Sequence, residues 1–148
     1  MKLRLVLLFS LAAGCSGSEP VPMTFSDINK QVFSRSCANF SSCHCNRTLV
    51  PNCAAPGSTS VGKLDLATDP YTALVNAPAY NALASSQGLL RVKPGDPTNS
   101  FLMIKLQLPL ASTDDGGYQL SMPSGNPHLP DVDLNAIAAW ITMGAPNN

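Results

Sequence analysis

Pro130-Asp131-Val132-Asp133-Leu134-Asn135-Ala136-Ile137-Ala138-Ala139-Trp140-Ile141-Thr142-Met143-Gly144 is the stretch from which the fold is read most directly. Leu134, Ile137, Ala138 and Ile141 recur at i, i+3, i+4 and i+7, so they share one face of a helix. Pro130-Asp131 opens that helix, Trp140 flanks its apolar stripe, and Gly144 terminates it. Working outward, Asp96-Pro97 reads as an N-cap with proline at the first helical position, and Phe101, Leu102, Lys105 and Leu106 continue a short helix. Residues 70–76 and 79–87 are further short helices, and Leu64-Asp65-Leu66 reads as a brief extended piece. Thr24-Phe25-Ser26-Asp27 carries a capping signal, with Asp27 near the positive helix end. Phe25, Ile28 and Val32 then fall on one face with Phe33 beside them, which predicts a helix over about 25–35. Residues 46–63 and 111–128 are rich in Pro, Gly, Ser and Asn and read as irregular. The expected fold is mainly α, a small domain over 24–148 of short helices joined by long irregular loops. Long loops in a small domain point to function or to an embedded cofactor.

The start of the chain has a different character. Lys2 and Arg4 form a positive region, Leu5 to Leu11 a short apolar run, and Ala12-Ala13-Gly14 leads into Cys15. That run is too short to span a bilayer, which takes roughly 20 residues. Residues 1–14 are therefore expected to be a signal peptide and 15–23, rich in Ser and Pro, a tether. Ala12-Ala13-Gly14-Cys15 resembles the bacterial lipobox, with Ala12 where Leu is usual. The resemblance implies lipidation at Cys15, which anchors the chain to a lipid bilayer as an exported lipoprotein of the outer membrane or periplasm. Nine basic residues balance nine acidic ones, and losing Lys2 and Arg4 with the leader leaves −2. With no basic patch, nucleic acid is not expected as a partner. At 45% hydrophobic and 12% charged residues, the chain is too apolar to be disordered.

Beyond Cys15, four cysteines fall within 17 residues: Cys37, Cys43, Cys45 and Cys53. In an oxidising compartment they can staple a loop through two disulfides, with three connectivities open. Their spacing does not match the paired knuckles of structural zinc sites. His44 follows Cys43 directly, in Ser41-Ser42-Cys43-His44. A cysteine followed by histidine lets one turn offer a thioether to a haem vinyl group and an imidazole to its iron. Phe40 stands where the first cysteine of a C-x-x-C-H motif belongs, and Cys37 is the nearest thiol upstream.

Several stretches, taken in order, resemble the planctomycete-type cytochrome c-like domains. They are Cys43-His44, Gly62-Lys63-Leu64-Asp65-Leu66, Tyr71 to Asn76, Arg91-Val92-Lys93-Pro94-Gly95-Asp96-Pro97-Thr98-Asn99-Ser100-Phe101-Leu102, Met122-Pro123, and Trp140-Ile141-Thr142-Met143-Gly144-Ala145. The most specific resembles the family's R-V-x-P-G-x-P-x-x-S-x-L signature. The resemblance implies haem c as cofactor, His44 as proximal and Met122 as distal iron ligand, and Cys43 as an attachment point. Phe40-Ser41-Ser42-Cys43-His44 is also similar to the single-thioether F-x-x-C-H of euglenozoan mitochondrial cytochromes. Alternatively Cys37 holds the second vinyl group, which leaves Cys45 and Cys53 to pair. His128 is a second candidate for the distal position, and Arg91 suits a haem propionate.

No triad, paired carboxylates or nucleotide loop stands out, so an electron carrier is expected rather than a substrate-transforming enzyme. The expected function is a lipid-anchored monohaem electron-transfer protein serving an unidentified redox partner protein. The alternative is a haem-free, disulfide-stapled structural or binding lipoprotein.

Overall fold

The computed structural model describes residues 23–38, 44, 64–109, 117–123 and 127–148. Five α-helices run in order: α1 Phe25–Ile28, α2 Pro70–Leu74, α3 Ala82–Ser86, α4 Phe101–Gln107 and α5 Asp131–Thr142. A π-helical segment, Asn29–Cys37, continues α1. Among the described residues, β-structure is limited to the isolated bridges Val75–Val92, Pro78–Leu90 and Leu90–Ser100. The fold is mainly α, as the periodicities predict.

The first turn of α1 shows how the fold closes. A helix start leaves four N–H groups without intrahelical acceptors. Here Asp27 N–H donates to Thr24 Oγ1 (3.1 Å) while Thr24 N–H donates to Asp27 Oδ2 (3.2 Å), a reciprocal capping box. Ile28 N–H reaches Thr24 O at 3.0 Å. The remaining two are met from far along the chain: Phe25 N–H by Asn148 Oδ1 (2.8 Å) and Ser26 N–H by Asn148 O (3.0 Å). The residues after α5 therefore finish the start of α1.

Beneath this cap lies the core. Phe25 stacks at 5.2 Å on the Trp140 ring of α5, meets Tyr71 of α2 edge-on at 5.2 Å, and approaches Phe33 at 6.4 Å. Ile28, Val32, Phe33, Val92, Ile137, Trp140 and Ile141 are fully shielded from water. Trp140 places its indole N–H on Pro146 O (2.9 Å), and Tyr71 its hydroxyl on Ala145 O (2.9 Å), so both polar tips are satisfied. Gly144, at φ 95°, takes the left-handed turn that ends α5.

Three elements differ from the sequence reading. The helix expected over 25–35 does run on to Cys37, but from Asn29 onward it is wound as a π-helix, with Ala38 N–H donating to Phe33 O five residues back. Asp96-Pro97 does not start α4, which begins at Phe101. Asp96 instead heads a turn, accepting from Asn99 N–H (3.1 Å), and Ser100 N–H donates to Pro97 O (3.2 Å). The same N-cap chemistry thus closes a turn one step ahead of the helix. Leu64-Asp65-Leu66 is no strand, because Asp65 Oδ1 collects the N–H groups of Ala67 and Thr68 (2.9 and 3.1 Å) and bends the chain. The expected signal peptide (1–14), the expected tether except Met23, and residues 46–63 lie outside the described residues.

Phe25→Ala removes the ring that joins α1, α2 and α5, and large-to-small aromatic changes in cores cost about 3–5 kcal/mol. Urea unfolding should show a loss of that size, and an unchanged midpoint would contradict this account of the core.

Candidate functional site

His44 is held by main-chain bonds on both sides. Its N–H donates to Cys37 O (2.8 Å), at the end of the π-helical segment, and its carbonyl accepts from Leu66 N–H (2.8 Å). Leu66 belongs to the core, and Cys37 and Leu64 pack against it. The residue after Cys43 is thereby pinned between a helix end and the apolar cluster, and its Nδ1 is shielded from water. Rare π-helical turns concentrate at functional sites, and this one ends at the residue that anchors His44.

Met122 is held in a comparable way. Its N–H donates to Lys105 O on α4 (2.9 Å), Ser121 before it is buried, and its side chain packs half-buried against the same apolar cluster. The main chains of two residues far apart in sequence are thus tied to the core: His44 through Leu66, a core residue, and Met122 through α4, with its side chain packed on the same cluster.

Arg91 has a structural tie that the sequence did not announce. Its Nη1 donates to Ala73 O at 2.7 Å, and its main chain bonds Ala77 O (2.7 Å) and Leu102 N–H (2.9 Å). Burial pushes the guanidinium pKa below its ordinary value. Its side chain thereby joins the end of α2 to the stretch ahead of α4.

The rest of that stretch is equally interlocked. Ser100, fully buried, donates to Asp96 O (2.8 Å) and accepts from Lys93 N–H (2.9 Å). Gly95 N–H donates to Ile141 O (2.7 Å), and Val92 N–H to Leu74 O (3.1 Å). Arg91, Val92, Gly95 and Ser100 of this stretch thus each have a folding task.

His128 sits beside the start of α5. Its Nδ1 is 3.2 Å from Leu106 O, and it lines a cleft of ≈ 230 Å³ with Gln107, Leu129, Asp131 and Leu134. Cys15, Cys43, Cys45 and Cys53 lie outside the described residues. Among the described residues, no three His, Cys, Asp or Glu side chains converge as a metal cluster. No helix among them is long and apolar enough to cross a membrane.

Lys105 is the site residue that sequence reasoning passed over. The signal was present, since a lysine sharing a helix face with Phe101, Leu102 and Leu106 needs polar partners for its head. In the structure its Nζ donates to the carbonyls of Tyr118 and Leu120.

Comparison of the chain with family models, with curated proteins and with solved structures finds no match in any of the three.

The turn ahead of α4 carries a pH signature. The Lys93 side chain beside Asp96 (2.8 Å), together with the side-chain and backbone N–H groups of Asn99, lowers the Asp96 carboxyl from 3.8 to about 2. A carboxyl more acidic in the folded state contributes stability above its unfolded pKa and loses it as pH falls through the folded value. Asp96→Asn should flatten the fall in stability between pH 3.8 and about 2, measured by urea unfolding at stepped pH. An acid limb as steep as the wild type's would contradict the assignment.

Proposed function

We propose that this protein is an exported, lipid-anchored monohaem electron carrier, with His44 and Met122 as the axial ligands of haem c and Cys43 as an attachment point. The observation that carries this reading is the pair of backbone-pinned donors at the margin of one apolar cluster. The donor set fits the group: imidazole nitrogen and thioether sulfur are the axial pair of cytochromes c, and an apolar surround raises the potential. When bound, haem supplies the one-electron chemistry.

The chain's own residues do the rest. Cys37 O and Leu66 N–H hold the main chain of His44, and Lys105 O holds the main chain of Met122; these two residues would hold the group. Trp140, Phe33 and Ile137 keep water out of the cluster between the helices. Arg91 presents a partly buried guanidinium that would favour a carboxylate neighbour. Cys37 packs at the core edge next in line to the Cys43-His44 segment, which suits it to a second thioether and leaves Cys45 and Cys53 to pair. Lipidation at Cys15 and export from residues 1–14 complete the proposal and place the carrier against a membrane surface, facing an unidentified redox partner protein.

The experiment is expression of the full chain in a periplasm with haem-attachment machinery, followed by a pyridine haemochrome spectrum of the denatured protein. A c-type α-band is expected, and its position separates one thioether from two. His44→Ala should abolish the low-spin spectrum of the folded protein. Absence of the band, with a control cytochrome maturing in the same cells, would favour instead a haem-free lipoprotein stapled by Cys37, Cys43, Cys45 and Cys53. That second reading is motivated by Phe40 at the position of the first attachment cysteine.

A further inference from the structure

The segment that delivers Met122 is organised around one cation. Lys105 Nζ donates to Tyr118 O (2.9 Å) and to Leu120 O, while the main-chain carbonyl of the same lysine accepts Met122 N–H (2.9 Å). Between the two carbonyls Gln119 sits in the left-handed region, at φ 67°. Further ties run from Asn81 Nδ2 to Gly117 O (2.9 Å) and from the Phe101 ring to Tyr118, edge-on at 5.7 Å. Lys105 holds the segment through both its side chain and its backbone, and its carbonyl bonds Met122 itself.

We infer that Lys105 is the positioning residue for Met122: its ammonium gathers the carbonyls of Tyr118 and Leu120, and its carbonyl takes the Met122 N–H, so that the thioether is held in place by α4. The inference rests on the reading of Met122 as a distal ligand. An ammonium offers three donors that rotate to meet acceptors, and charge-assisted bonds to carbonyls are stronger than neutral ones. A soft thioether on an irregular segment binds best when the segment is ordered beforehand, because ordering then costs nothing at the moment of binding. A positive charge on the apolar face of α4 is explained by this task, since a leucine there would leave two carbonyls to find other donors.

The test compares wild type with Lys105→Met, which keeps length and apolar stem but removes the donors. Amide hydrogen exchange on the full chain as purified reads the clamp without reference to haem. Exchange at Met122 should rise about tenfold or more in the variant, since at least the scale of one charge-assisted bond is lost with the two ammonium–carbonyl contacts, while the α5 amides stay within about twofold of wild type. In the ferric state, the weak red charge-transfer band of thioether-bound haem should fall in the same variant. Should Lys105→Met lose its α5 protection, Lys105→Gln, with a shorter neutral head, is read by the same criteria. Met122 exchange equal to wild type in a folded variant overturns the inference. Loss of all protection in both variants overturns it as well, by making Lys105 a support of the whole fold. A wild-type protein without the band would overturn the ligand assignment instead, and the exchange data would still decide the clamp.

Discussion

The stacking of Phe25 on Trp140 is the contact on which the rest of the molecule depends. It joins the first described helix to the last at 5.2 Å, and the capping of α1 by Asn148 closes the same junction from the polar side. Apolar burial alone would let the two helices slide, because the hydrophobic effect has no direction. The hydrogen bonds from Phe25 and Ser26 to Asn148 supply the register. Tyr71 and Trp140 then spend their polar tips on Ala145 and Pro146, so the residues after α5 are bound by the aromatic groups they cover.

With that junction fixed, the margin of the core becomes a place where side chains can be held without being buried outright. His44 hangs from Cys37 on one side and from Leu66 on the other; Met122 hangs from Lys105 on α4. The interlocked stretch from Arg91 to Leu102 keeps α4 in register with α2 and α5, through Arg91 to Ala73, Val92 to Leu74 and Gly95 to Ile141. A small domain of short helices has little core to spare. Its irregular segments are accordingly ordered by specific hydrogen bonds, of which those of Ser100 and Asp65 are the plainest.

Much of the fold was legible in the sequence because the helices follow the 3.6-residue period. The stripe Leu134-Ile137-Ala138-Ile141 marks α5 where the structure has it, and Phe25-Ile28-Val32 marks the helical stretch that α1 and the π-helical segment together form. The winding after Asn29 was not legible, because side-chain spacing over so few residues does not separate a π-turn from an α-turn. Nor was the start of α4, since an aspartate that caps a helix and one that heads a turn use the same oxygen on the same N–H groups. His44 and Met122 were named from sequence, whereas their supports Cys37 O, Leu66 N–H and Lys105 O were not. Those supports are all backbone groups, which every residue carries and no sequence pattern singles out. The side chain of Lys105 differs, and its apolar helix face was the clue.

The proposal that two donors at one core margin serve one iron is tested most directly by iron X-ray absorption on the haem-loaded protein in the ferric state. The account predicts one sulfur scatterer in the iron's first shell, lost in Met122→Ala. A first shell of light atoms alone in the wild type would contradict it.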